Sequence, residues 1–322
     1  MKACLYCCNT PIELVESFGL DARRFVSSGA TSDESRGEIH PGVCSWCKTI
    51  IGSQTDDDIL VASRTCDQAA RVLDFRSRQS GKTLLITHMP ATRTKASYQY
   101  FKSEILWQID RLSEITGKSP NEDRLDESIR KWNRIRKSLR ENRGLLSGSA
   151  FVALVHKIMD GETNISVNSD FSSGKQDSSS MKIAVAGCPT SKAEISFLEM
   201  IEKNGASVVL DATCTGDRFS ELEVEESGDP VENLAKAYFE RIPCIRARPN
   251  TEFFDWMKIK TKRLGVEGVI WKTLRGCDMW TAELERAKTV LDLPVLGIDI
   301  SYSDVSSPRI QTRVEAFLES LR

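Results

Sequence analysis

The chain has 322 residues and lacks the marks of several functional classes. No apolar run approaches the roughly 18 residues that a membrane-spanning helix needs. The opening "MKACLYCCNTP" has no stretch long enough for a secretory signal and meets Pro11 early. The chain is therefore expected in the cytoplasm and off the membrane. A formal net charge of −2 offers no basic field for nucleic acid. Three histidines occur, His40, His88 and His156, without HxxxH or HExxH spacing. No GxGxxG is present. "SRQSGKTLLI" contains Gly-Lys-Thr, but it lacks the upstream glycine of a P-loop and precedes a strand instead of following one. If ATP drives the chemistry, another protein binds it.

Cysteine, by contrast, is plentiful: ten residues in a chain whose 40% apolar and 28% charged content is ordinary for a globular protein. Cytosolic thiols stay reduced, so structural disulfides are not expected. Inert core cysteines, a redox thiol, zinc and an iron–sulfur cluster remain. Cys4, Cys188 and Cys244 read as core residues, since free cysteine is among the most buried residue types. "CSWCK" is a CxxC, but no second pair stands at zinc-ribbon spacing.

Short apolar runs followed by helix starts mark the first part of the chain: Lys2–Cys7, "DILVASRTC" and "KTLLITHMP". Two amphipathic stretches follow. One carries Phe101, Ile105, Ile109 and Leu112 on one face, the other Leu125, Ile129, Trp132, Ile135 and Leu139. Gly117 to Asn121 separates them, which predicts an antiparallel helix pair, and "SGSAFVALVHKIMDG" adds a third helix. After a Ser-, Gly- and Asp-rich stretch, strands and helices alternate again from "KIAVAGC" to "IQTRVEAFLESL". The expected organisation is a first α/β domain over 1–94, a helical segment over 95–160, a polar linker over 161–181 and a second α/β domain over 182–322. "ILVASRTCDQAARVLDF" and "GVIWKTLRGCDMWTAELER" both run strand, Cys-Asp, helix. A doubled flavodoxin-like, Rossmann-type parallel-sheet unit with a helical insert is the simplest description.

In open parallel sheets the ligand crevice lies beyond the carboxyl ends of the strands. Cys7, Cys8, Cys66 and Cys277 fall at such ends, and Cys44 and Cys47 in a loop of the first half. Free N–H groups at the following helix starts favour thiolate, the form that binds metal. "CCNTP" reads as a strand-to-helix turn, with Thr10 as N-cap and Pro11 as first helical residue. Thr213, Thr215 and Arg218 in "TCTGDR" read as turn and cap residues, with a place in the crevice as the sharper alternative, and His88 as a satisfied loop histidine. No residue is assigned as a general base.

Eight segments together resemble the 2-hydroxyacyl-CoA dehydratase D-component family, which includes 2-hydroxyglutaryl-CoA dehydratase, benzoyl-CoA reductase subunits and double-cubane cluster proteins. They are "CCNTPIELVESFGLDARRF", "HPGVCSWCKTIIG", "DILVASRTCDQAARVLDF", "HMPATRT", "SGSAFVALV", "GASVVLDATCTGDRF", "YFERIPC" and "EGVIWKTLRGCDMWTAEL", in family order. The resemblance implies two flavodoxin-like domains plus a helical domain, and a 4Fe–4S cluster held by three cysteines with one iron open. The family's ligand positions map to Cys7, Cys66 and Cys277, with Cys44 as the alternative to Cys66; Cys8 and Cys47 stand beside them.

The function so implied is that of an iron–sulfur lyase subunit. A separate ATP-dependent iron–sulfur activator supplies a low-potential electron, and an acyl-CoA is dehydrated through a ketyl radical. The partners implied are that activator, and a homologous second subunit or a second copy of the chain. An ATP-dependent reductase subunit of the benzoyl-CoA reductase type, or of the type carrying a double-cubane 8Fe–9S cluster, is the first alternative. The extra cysteines and the start close to the first strand favour it. The second alternative is a non-catalytic electron-transfer subunit.

Overall fold

The computed structural model describes residues 1–29, 42–53, 56–164, 180–305 and 307–322. Its elements run β1 (Lys2–Leu5), α1 (Ile12–Ser17), β2 (Asp21–Arg24), α2 (Ser45–Gly52), β3 (Ile59–Ser63), α3 (Asp67–Ser80), β4 (Thr83–Thr87), α4 (Lys95–Thr116), α5 (Glu122–Asn142) and α6 (Gly148–Met159). The second half continues with β5 (Met181–Gly187), α7 (Ile195–Lys203), β6 (Ala206–Asp211), α8 (Asp217–Ser220), α9 (Pro230–Glu240), α10 (Thr251–Leu264), β7 (Gly268–Leu274), α11 (Asp278–Ala282), α12 (Leu284–Val290), β8 (Val295–Ile300) and α13 (Pro308–Ser320).

Among the described residues the strands form two four-stranded sheets, ordered β2-β1-β3-β4 and β6-β5-β7-β8. Every pairing is parallel. The protein is thus α/β with two Rossmann-like sheets of one topology, as the repeated strand–Cys-Asp–helix pattern leads one to expect. β3, β6 and β7 are buried along their whole length. Their middles accordingly read as short apolar runs, as in strands covered on both faces, with Asp211 and Lys272 as buried charged exceptions.

The helices between the sheets bind both halves together. α5 packs on α1 and α8, α4 on β4 and α9, and α6 on α7 and β6. α4 and α5 find their main partners in the α/β units and not in each other, which corrects the antiparallel pair expected of them. Three elements go beyond the sequence reading. β2 carries "DARR", whose arginines hide it as a strand. α10 has no counterpart among the expected elements, and "CSWCKTIIG", whose cysteines are expected in a loop, forms α2 with Cys44 at its N-cap. The stretch taken as one helix after Cys277 breaks at Glu283 into α11 and α12. Thr10 does not cap α1: Pro11 holds that position, and Thr10 Oγ1 meets Ser63 Oγ at 3.3 Å instead. Of the expected polar linker, residues 165–179 lie outside the described residues, as do His40 and Pro41 beside the CxxC. No helix among the described residues is long and apolar enough to cross a membrane.

Candidate functional site

In both sheets the chain reverses its winding between the first and third strands, so a crevice opens beyond β1 and β3 and another beyond β5 and β7. Cysteines stand at all four strand ends: Cys7 and Cys8 after β1, Cys66 after β3, Cys188 after β5 and Cys277 after β7. The two crevices face one cavity of about 130 Å³. Cys7, Cys8, Cys44, Cys47, Cys66, Cys188, Cys214, Cys244 and Cys277 all line it, with Phe25, Trp46, Met159 and Trp280 closing the apolar wall. Cys4 alone among the ten cysteines is not on it, sitting fully buried on β1.

The four sequence-derived ligand candidates, Cys7, Cys44, Cys66 and Cys277, are thus brought to a single cavity. Cys188 and Cys244 correct the reading that made them inert core: Cys188 is buried, but it is buried against this cavity. Cys214, within "DATCTGDRF", joins them; its sequence signal is its place after a buried strand, like that of Cys7 and Cys66. Thr215 and Arg218 line the cavity as well. His88 does not; its ring meets Glu104 at 3.2 Å.

Neighbouring thiols perturb one another: Cys44 acts with Cys47 and Cys277, Cys47 also with Cys66, and Cys277 also with Cys188. Cys277 and Cys47 pull Cys44 down to about 4, and Cys47 brings Cys66 to about 7. On the other side Cys214 pulls Cys8 down to about 5, helped by Arg24, Arg241 and Arg218. The partners holding the protons move the other way. Cys188 pulls Cys277 down, yet Cys44 and burial together push it up to about 12. Burial and neighbouring Cys8 push Cys7 up to about 11. Its Sγ lies 3.9 Å from Thr65 Oγ1 in the Cys66 loop and accepts from Asn9 N at 3.4 Å. Cys66 Sγ takes the N-cap role of α3, accepting from Ala69 N at 3.2 Å.

Buried charge steadies the loops that carry these thiols. Below β1, Glu13 pairs with Arg136 at 2.6 Å and accepts from Tyr238 at 2.7 Å. Arg24 reaches Tyr238 at 3.2 Å, Thr10 O at 2.9 Å and Cys7 O at 2.9 Å. Below β5, Lys272 pairs with Glu194 at 2.7 Å and bonds Thr190 at 3.1 Å, beside Cys188. Such pairs add little net stability, but breaking one leaves a lone buried charge. They act as fixed braces under the two crevices.

The donor set decides which groups fit. Among the described residues the lining holds nine thiols and no histidine or carboxylate, which is soft-metal chemistry. Among the described residues no three His, Cys, Asp or Glu are grouped to hold a single ion. Thiolates are the ligands that hold iron–sulfur clusters. The residues fit an iron–sulfur cluster.

"Putative dehydratase subunit YjiM" of Escherichia coli (strain K12) is 26% identical over 348 aligned positions, spanning 98% of this chain and 90% of that protein. The family model for the 2-hydroxyglutaryl-CoA dehydratase D-component matches residues 7–321. On that match the chain belongs to the 2-hydroxyglutaryl-CoA dehydratase D-component family.

Proposed function

We propose that this chain is the iron–sulfur subunit of a 2-hydroxyacyl-CoA dehydratase-like enzyme, served by an ATP-dependent iron–sulfur activator. The observation that carries the reading is the meeting of thiols from both sheets on one cavity at four strand ends. Cys7, Cys66 and Cys277 would hold a 4Fe–4S cluster, with Cys44, which acts with Cys277, as the alternative to Cys66. The chemistry such a cluster supplies when bound is one-electron reduction at low potential, with a Lewis-acidic iron for a thioester carbonyl. The chain's own part is to present thiolates, exclude water with Phe25, Trp46 and Trp280, and set a positive field through Arg24, Arg218 and Arg241. No side chain is assigned as proton donor. Free thiols in this number belong in a reducing compartment, and we place the protein in the cytoplasm. It would act with a homologous second subunit or a second copy of itself.

A second reading is favoured by the count of thiols. One 4Fe–4S cluster uses three or four ligands, and the cavity has nine thiols. The surplus suits a double-cubane 8Fe–9S cluster and a reductase role. Anaerobic purification with iron and sulfide analysis and an EPR spectrum tests both. About four irons per chain supports the first reading and about eight the second. A metal-free protein after reconstitution, with Cys7→Ala and Cys277→Ala unchanged in stability and activity, would sink both.

A further inference from the structure

Arg218 stands on α8, just beyond β6 and Cys214, and is 3% exposed. One of its nitrogens, Nη2, donates to Pro243 O at 2.8 Å and Ile242 O at 3.3 Å. The other two, Nε and Nη1, are buried and have no partner. Its face lies 5.2 Å from the Phe253 ring centroid, and the residue lines the thiol cavity. Among the described residues it makes no ion pair, although the neighbouring Asp217 pairs with Arg143 at 2.9 Å. The titratable groups nearest to it in effect are the thiols of Cys214, Cys244 and Cys8 and the guanidinium of Arg241. No carboxylate is among them.

A guanidinium cannot shed its proton in a protein, so burial cannot neutralise it as it does a lysine or histidine. A buried cation with two idle donors needs an anion, and the thiol-lined cavity that Arg218 borders is where that anion sits. The braces under the crevices do not serve, since Glu13 and Glu194 are committed to Arg136 and Lys272.

We infer that Arg218 is the charge-compensating donor for the anionic centre of the cavity, its Nε–Nη1 edge favouring that centre's more negative, reduced form. This rests on the cluster reading above. Thiolate-bound iron–sulfur centres are anionic, and hydrogen bonds and positive charge beside them raise their potential. Arg218 is a positioning residue in this scheme and is not one of the ligands.

The test compares wild type, Arg218→Lys and Arg218→Met as full chains, reconstituted anaerobically with ferrous iron and sulfide. Iron content, the midpoint potential from an EPR-monitored redox titration, and the melting temperature of the metal-free chains are read. The expected result is wild-type iron content in both variants, with a midpoint shifted to more negative potential in Arg218→Met and less so in Arg218→Lys. Metal-free Arg218→Met should melt at or above the wild-type temperature, because an uncompensated buried charge is gone. Unmoved midpoints in both variants, or a loss of metal-free stability without a change in potential, would overturn the inference and leave Arg218 a packing residue. If Arg218→Met does not fold, the midpoint of Arg218→Lys decides by the same comparison. Failure of the wild type to take up iron defeats the underlying reading, whereas uptake with unmoved potentials defeats this inference alone.

Discussion

Gln68 takes the backbone N–H of Cys44 on its Oε1 at 2.8 Å. The same amide donates from Nε2 to Gly276 O at 3.0 Å. One side chain, two residues beyond Cys66, thus ties the Cys44 helix start to the Cys277 loop across the two sheets. Both bonds need the amide: a carboxylate could accept from Cys44 but would repel the carbonyl of Gly276. Gln68→Glu and Gln68→Leu should each cost about 1–3 kcal/mol, the price of leaving these half-buried backbone groups unpaired. Both should also lower iron uptake relative to wild type. Urea unfolding and iron analysis on reconstituted protein check this, and Gln68→Glu retaining full stability and iron would contradict it.

Gly276 makes the same closure from the other side. Its φ of +82° suits glycine, and a Cβ there would stand 2.7 Å from Gly42 O and 3.0 Å from Cys44 N. Both obstacles are backbone, so neither can rotate away. Gly276→Ala combines left-handed strain with a forced separation of Cys44 from Cys277. A loss of about 2–4 kcal/mol is expected. The thiol reactivity of Cys44 should change as it parts from Cys277. Chemical unfolding and thiol labelling of the metal-free chain read the two effects separately.

How much of this was legible beforehand follows from what each residue does. The parallel strands could be read because β3, β6 and β7 each carry a short apolar run, a pattern that depends on nothing else in the fold. β2 could not, because Arg23 and Arg24 are charged: Arg24 is buried through bonds to Cys7 O, Thr10 O and Tyr238, and Tyr238 lies over two hundred residues away in the chain. The same distance rule governs the site. That Cys7, Cys66 and Cys277 end strands is a local fact. Cys188 and Cys214 also follow strands, but that thiols of both sheets share one cavity requires the two sheets to face one another, which no local pattern encodes. Gln68 was invisible for that reason as well, since its partners come from α2 and the β7 loop.

His156 offers a test of the fold that does not depend on the thiols. It lies on α6, 3% exposed, with neither ring nitrogen hydrogen-bonded among the described residues. Burial, with Lys272 and Lys192 nearby, pulls the imidazole from 6.5 down to about 3. In the unfolded chain it protonates near 6.5, while the folded chain stays neutral to about 3. Between those values the unfolded state holds one more proton, so stability is intact above 6.5 and falls as the pH drops towards 3. The slope from this group is about 1.4 kcal/mol per pH unit. His156→Phe removes the titration and two unpaired buried nitrogens. From pH 6.5 to 5.0 the variant should therefore gain about 2 kcal/mol on the wild type. Parallel urea melts at the two pH values measure that difference, and equal pH dependence in both chains would show that His156 titrates normally in the folded protein.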